Sequence, residues 1–530
     1  MRYLGKGAAA YFRTNLAILA AAIGCGTPLM AGGASSPYEI EGPLAPRNHV
    51  DELVFARWKQ LQIQPANLCS DAVFLRRAWL DTTGTLPGAQ QAAEFLNSHD
   101  PNKRAVLIDQ LLERPEFADY WAMKWSDLLR VKAEFPINLW PNAAQAYYHW
   151  IRASLAGNKP YDRFARELLT ESGSNFRSPP VNFYRAMQNH EPQGIAQAVA
   201  LTFMGVRAEN WPPGRLAQMA EFFSQIGIKH TGEWKEEIVF FDSRKPAPAK
   251  LVFPDGTAAR LAPGEDPREA FAAWLTAPGN PWFARNIVNR AWYWLLGRGI
   301  VQEPDDLRPD NPPENPELLA WLEGELVHSH YDLKHVFRLI LDSTTYQLSP
   351  VPRDGPEEAS AHFAAYPLRR LDAEVLIDAL CQITGTSETY ASAIPEPYTF
   401  MPDFQRAVDL PDGSISSSFL ELFGRPARDT GLEAERNNRI SDAQKLHLLN
   451  SSHVQRKIQQ GPKLRALMRN AQSPRELVSQ LYLTILSRYP TEDEWRLVAK
   501  HSQSGVARGQ AAVLDLVWAL VNSNEFLYRH

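Results

Sequence analysis

NPWFARNIVNRAWYWLLGRGIVQEPDDLRPDNPPENPELLAWL, residues 280–322, is the stretch whose punctuation decides the fold class. Asn280 can N-cap a helix with Pro281 at its first position, where the missing N–H costs nothing. Gly297 and Gly299 can end it where left-handed backbone is needed. Prolines then crowd residues 309–316, as in a loop. The segment is strongly patterned, yet it holds no recognisable catalytic constellation.

The same punctuation recurs along the chain. Ser441 with Gln444, Ser473 with Glu476, Thr491 with Glu494 and Asp266 with Glu269 form capping boxes or close variants, each feeding an apolar-periodic run. Phe117, Trp121, Trp125, Leu128 and Leu129 fall at helical spacing, which places a heavy aromatic stripe on one face, a core signature rather than a cofactor box. One region breaks the pattern. Residues 237–241, then 250–253, a Pro254-Asp255-Gly256 turn and residues 258–261 predict a small β-hairpin or three-stranded patch. The fold class expected is mainly α: two helical domains, residues 43–232 and 266–530, joined by a β-containing connector at 233–265. Residues 349–367 are expected to form an internal linker or lid, and the region from Ser387 to Thr430 a loop long enough to be functional or partly mobile.

With 530 residues, 45% of them hydrophobic, the chain has apolar material for more than one core. A net charge of −5 gives no field that would gather nucleic acid, which is excluded as a partner. Arg2, Lys6 and Arg13 precede an apolar run at 16–23, then small residues and Pro28, the layout of a secretory signal over residues 1–34. Two exits compete: lipidation at Cys25, or cleavage after the small residues at 29–31 or 32–34. The mature chain is therefore expected to be exported, periplasmic or extracellular, touching a membrane only through a lipid on Cys25. Cys69 and Cys381 alone remain after processing, so no disulfide framework exists, and two separate thiols are expected.

Candidate functional residues fall in clusters. Arg285, Asn289 and Arg290, with Asn286, form a polar helix face that can receive Asp305 or Asp306. That is either an anion- or sugar-binding groove or a buried ion-pair network anchoring the loop, and the sequence favours the network. Arg425, Arg428, Glu435 and Arg436, with Asp429 and Glu433, precede a helix that presents His447 and Asn450. A carboxylate beside His447 would suit acid–base chemistry, but a hydrogen-bonded structural histidine is the simpler reading. The acidic run Glu303, Asp305, Asp306, Asp310, Glu314 and Glu317 lacks a calcium-loop spacing, so no metal is expected. Trp140, Trp211 and Trp234 are the loop tryptophans that could stack on sugar rings.

FLRRAWLDTTGTLP at 74–87, Lys103-Arg104 through Leu112, and residues 121–129 resemble the first half of a planctomycete-type tandem, in which a cytochrome-c-like domain (Planctomycete Cytochrome C) precedes a planctomycete-specific domain. The second half resembles it more closely still: Asn280-Pro281 to Asn289-Arg290, Gly297 to Val301, Asp305-Asp306, Asn315 to Leu319, Tyr331 to Lys334, Phe423 to Pro426, His447 to Ser451 and Asn522 to Phe526 follow its motifs in order. Members commonly carry a Cys-x-x-Cys-His-like motif after a Phe-Leu-Gly-Val-like run. The matching stretch here, LTFMGVRAENW at 201–211, has neither thiol nor histidine, so no haem and no other cofactor is expected. Cysteines that the family often places after Phe-Gly-Arg-Pro are also absent from 429–436.

The expectation is an exported helical protein that has lost its haem site and binds a partner protein or an extracellular glycan. One alternative is an enzyme acting on complex polysaccharide, since the resemblance implies bacteria whose genomes pair such genes with glycan-degrading systems. Another is an electron-transfer partner that docks on a separate cytochrome.

Overall fold

The computed structural model describes residues 36–530 except Pro213, Ala249, Pro263, Gly505 and Val506; the expected signal segment and Cys25 lie outside the described residues. The fold is mainly α, with small antiparallel sheets of two or three strands. Among the described residues no helix is long and apolar enough to cross a membrane.

The predicted punctuation is present. Ser441 with Gln444 and Thr491 with Glu494 close full capping boxes, and Ser473 and Asp266 cap the helices Pro474–Leu486 and Pro267–Leu275. The helix expected from Pro281 starts two residues later, as Phe283–Leu296, because the Asn280 carboxamide oxygen accepts the N–H groups of Trp282 and Phe283 and holds the chain in a turn first. Gly297 ends it with φ 69°. Gly299 serves another purpose: a Cβ there would lie 2.2 Å from the Val301 carbonyl oxygen.

The β-patch differs in its pairing. The strand Glu237–Phe241 sits at the centre of a three-stranded sheet between Ile226–His230 and Gly173–Ser174, not beside residues 250–253. The expected 250–261 hairpin shrinks to one bridge, Val252 with Ala258. Its Phe253 ring stacks on Trp274 and Phe222, at 5.0 and 4.9 Å, so helical packing claims the residue that the hairpin would have used.

Among the described residues one apolar core runs from Val50 to Leu527 and draws on helices either side of the β-connector. The aromatic stripe lies at its centre: Trp121 and Trp125 of the helix Pro115–Leu128 meet Trp294 of Phe283–Leu296, with ring centroids 5.2 and 6.1 Å apart. Burying such indoles is worth about 3–5 kcal/mol each against truncation. Of residues 349–367, expected as a linker or lid, most of 351–358 is exposed, whereas 363–366 fold into this mass, where the buried Tyr366 hydroxyl donates to Asp81 at 2.7 Å.

The motif at 74–87 supplies the clamps. Arg76 donates to the carbonyls of Ile485 and Phe526, and Arg77 to those of Tyr346, Leu348 and His530, while its guanidinium lies 3.6 Å over the Tyr366 ring. Planar guanidinium forks suit such multiple carbonyl contacts, and both arginines are buried.

Candidate functional site: a polar cleft at the seam

Where the two helical regions meet, a cleft of about 770 Å³ opens, lined by Lys124 from the first region and by Trp294, Arg369, Asp372, Glu433, Arg436, Asn438, Arg439 and Arg529 from the second. Its floor is Asp372, buried just before the helix Ala373–Thr384. Lys124 Nζ lies 3.2 Å from this carboxylate, Arg529 Nη2 3.0 Å and Arg436 Nη1 3.7 Å, and Asn438 donates to it at 2.7 Å. Burial alone would raise the Asp372 carboxyl, but Lys124, Arg529 and Arg436 together hold it well below the usual carboxylate range. Lys124 is pushed down by its burial against the pull of Asp372.

Glu433 faces the opposite balance. Burial pushes its carboxyl up while Lys124 draws it back, and one oxygen accepts from Trp294 Nε1 at 3.1 Å. One cleft therefore holds an acid displaced upward and an amine displaced downward, both by desolvation.

The sequence-derived candidates divide between this cleft and sealed cores. Arg290 is wholly buried; it donates to the Leu201 and Thr202 carbonyls and pairs with Asp305 at 2.6 Å. Asn289 exchanges two hydrogen bonds with Val301, so this cluster is the loop-anchoring network. Arg285 pairs with Glu323 and Asp306 with Arg308, both outside it. Asp305 also links the network to the cleft, because its second oxygen accepts the Glu433 N–H at 2.7 Å.

The Arg425 side chain is buried beside Glu374 and donates to the Ile415 and Asp412 carbonyls, and the buried Arg428 pairs with Asp127 at 2.9 Å. Arg436 pairs with Asp127 at 2.6 Å and with Glu374 at 2.7 Å, yet also lines the cleft. Glu435 accepts the N–H groups of Asp429 and Thr430 and shapes the loop. His447 stands apart, edge-on to Phe419 and Phe423 and 5.7 Å from the His453 ring; burial and His453 lower its pKa. The carboxylate of that group, Glu388, bonds His453 and Lys457 instead. Asn450 is exposed at the helix end.

Lys124, Asp372 and Arg529 were not among the sequence candidates. Lys124 had a usable signal: it lies seven residues after Phe117 and three after Trp121, a lone cation on the buried aromatic face. The others gave none, since their roles depend on side-chain hydrogen-bond partners 66 to 409 residues away.

The segment 201–211 has a structural task. The helix Pro192–Val199 runs on into a π-turn, Ala200–Met204, whose Thr202 carbonyl accepts from both Asn286 and Arg290. Gly205 follows with φ 63°.

No curated protein and no solved structure matches the chain. Residues 49–210 match PSCyt2, described as a protein of unknown function (DUF1549), and residues 267–502 match PSD1, described likewise (DUF1553). The two stand in the order expected from the motifs at 74–87 and 280–319, and the chain therefore belongs to the planctomycete-type PSCyt2–PSD1 tandem.

Proposed function

We propose that the protein is exported, carries no c-type haem, and works by binding: the seam cleft takes an anionic group of a partner protein or extracellular polymer. The observation that carries this reading is Arg439. It is exposed in the cleft wall with no ion-pair partner among the described residues, above a floor whose charges are already balanced. Such a rim cation offers an anchor for an anion, while Asn437 and Asn438 offer amides to neutral polar groups. Isothermal titration against anionic oligosaccharides is expected to show binding that Arg439→Ala weakens about tenfold with no change in melting temperature. Equal affinities of the two chains would refute the cleft as the site.

A second reading has its own support in the displaced pKa values of Glu433 and Lys124. A carboxyl raised by burial beside a cleft is poised to give up a proton to a leaving group. In this reading Glu433 is a general acid for polysaccharide cleavage, and Glu433→Gln abolishes turnover of a glycan panel while binding persists. Activity unchanged in that variant refutes it.

A further inference from the structure

Three aromatic side chains from distant parts of the chain meet on the surface away from the lining of the seam cleft. Trp140 lies with its ring 6.3 Å from Trp234 at 76°, and 5.4 Å from Tyr398 at 61°. Trp234 is 70% exposed and Tyr398 47%, while Trp140, which contacts both, is half-buried. Trp211, the third loop tryptophan, packs instead against the apolar core, with the Arg215 guanidinium 4.4 Å over its ring.

The backbone that presents the cluster is strained. Trp140 and Lys235 adopt φ 72° and 62°, a left-handed conformation that bulky side chains rarely take and that packing elsewhere must maintain. Lys235 stands in the corner between the two indoles, its ammonium 5.1 Å from the Trp140 ring centre and 5.6 Å from that of Trp234. It has no carboxylate partner among the described residues, although acidic residues surround it. Glu233 and Glu236 are near Arg177, Glu236 also accepts from Ser174 and Thr231, and Glu237 binds Arg185. An aromatic corner whose cation rests against the two indoles and has no carboxylate partner among the described residues is therefore held in place at a conformational cost.

We propose that this corner is a saccharide-binding platform for a pyranose carrying an anionic substituent, a carboxylate or a sulfate. The C–H face of a pyranose is apolar and weakly positive, so it stacks on the negative face of an indole. The substituent meets the Lys235 ammonium. A protein partner suits the surface less well, because three rings cover far less than the ~1,000 Å² that a stable protein interface needs. The inference rests on the polymer branch of the proposed function but uses a different surface from the cleft, so the two can fail separately.

The test is isothermal titration of the full mature chain with three oligosaccharides, one of galacturonate, one a sulfated galactan fragment and one of neutral cellulose type, with polyglutamate as an acidic peptide. Trp234→Ala, Lys235→Ala and the cleft variant Arg439→Ala are compared, each confirmed folded by its melting temperature. Either anionic saccharide binds more tightly than the neutral one, and the tighter of the two names the anion. Trp234→Ala weakens that binding about tenfold or more, and Lys235→Ala reduces it towards the affinity of the neutral probe. Unchanged affinity in Trp234→Ala overturns the platform. Loss of saccharide binding in Arg439→Ala alone overturns it too, while supporting the cleft. Polyglutamate bound as tightly as galacturonate, and insensitive to Trp234→Ala, makes the corner an acidic-peptide site instead. Failure of the unmodified chain to bind any saccharide removes the polymer branch along with the platform.

Discussion

Arg290 is a cation without solvent, tolerable only because Asp305 and two backbone carbonyls pair its two terminal nitrogens. Arg290→Ala would leave the Asp305 carboxylate buried without its cation and would remove a donor from the carbonyls of 201 and 202, with only the Glu433 N–H remaining on Asp305 and Asn286 on Thr202. The expected loss is about 3–5 kcal/mol in denaturant unfolding, and a loss below about 1 kcal/mol would mean that the network is not what anchors the loop. Two other buried groups set the acid response. Burial lowers His530 to about 4, so the unfolded chain takes up that proton first, and stability falls as pH drops from about 6.5 to 4. Burial raises Asp378 to about 6, so there the folded chain takes up the proton first and stability rises over nearly the same interval. The two oppose each other, and the intact protein is expected to be nearly flat across that range in these terms. His530→Asn should expose the Asp378 contribution as a stability that increases on acidification from pH 6 to 4, read from midpoint denaturant concentrations; an unaltered pH profile contradicts the pairing. Of these residues Arg290 and Asp305 were legible as a network, because an arginine face and an acidic loop lie fifteen positions apart. Asp378 and His530 were silent, since burial by the rest of the chain is what displaces them.

Helices announce their ends, and the caps at Ser441, Ser473, Thr491 and Asp266 were readable because each bond closes within three residues. The 250–253 strand was misread because a hairpin pattern says nothing of the indole waiting for Phe253. Gly205 shows how local and distant demands coincide. Its φ of 63° ends the π-turn, and a Cβ there would lie 2.5 Å from Asn286 Oδ1 and 2.9 Å from the Pro304 carbonyl oxygen. Gly205→Ala is expected to destabilise by roughly 1–3 kcal/mol, more than a solvent-facing control such as Gly232→Ala, which has open space around it and a φ outside the left-handed region. Equal melting temperatures for the two variants would show that the turn is not pinned. The cleft depends on this element indirectly, since Asp305, held by the same arginine, receives the Glu433 N–H.

At the scale of the molecule the two family segments are divided by sequence and not by packing. Arg76 and Arg77 grip carbonyls of the second segment and of the chain beyond it, Asp81 accepts the Tyr346 and Tyr366 hydroxyls, and Arg428 and Arg436 reach back to Asp127. The motifs at 74–87 and 423–426 were visible as motifs, but not as two sides of one seam, because single-chain periodicity carries no information on contacts hundreds of residues apart. The cleft is a property of that seam: Lys124 comes from one segment and Asp372 from the other. Differential scanning calorimetry of the full chain tests the shared core most directly. One cooperative transition, with van't Hoff and calorimetric enthalpies equal and its midpoint lowered as a whole by Arg77→Met, is the predicted result. Two resolved transitions, with Arg77→Met shifting only the one that belongs to residues 49–210, would contradict it.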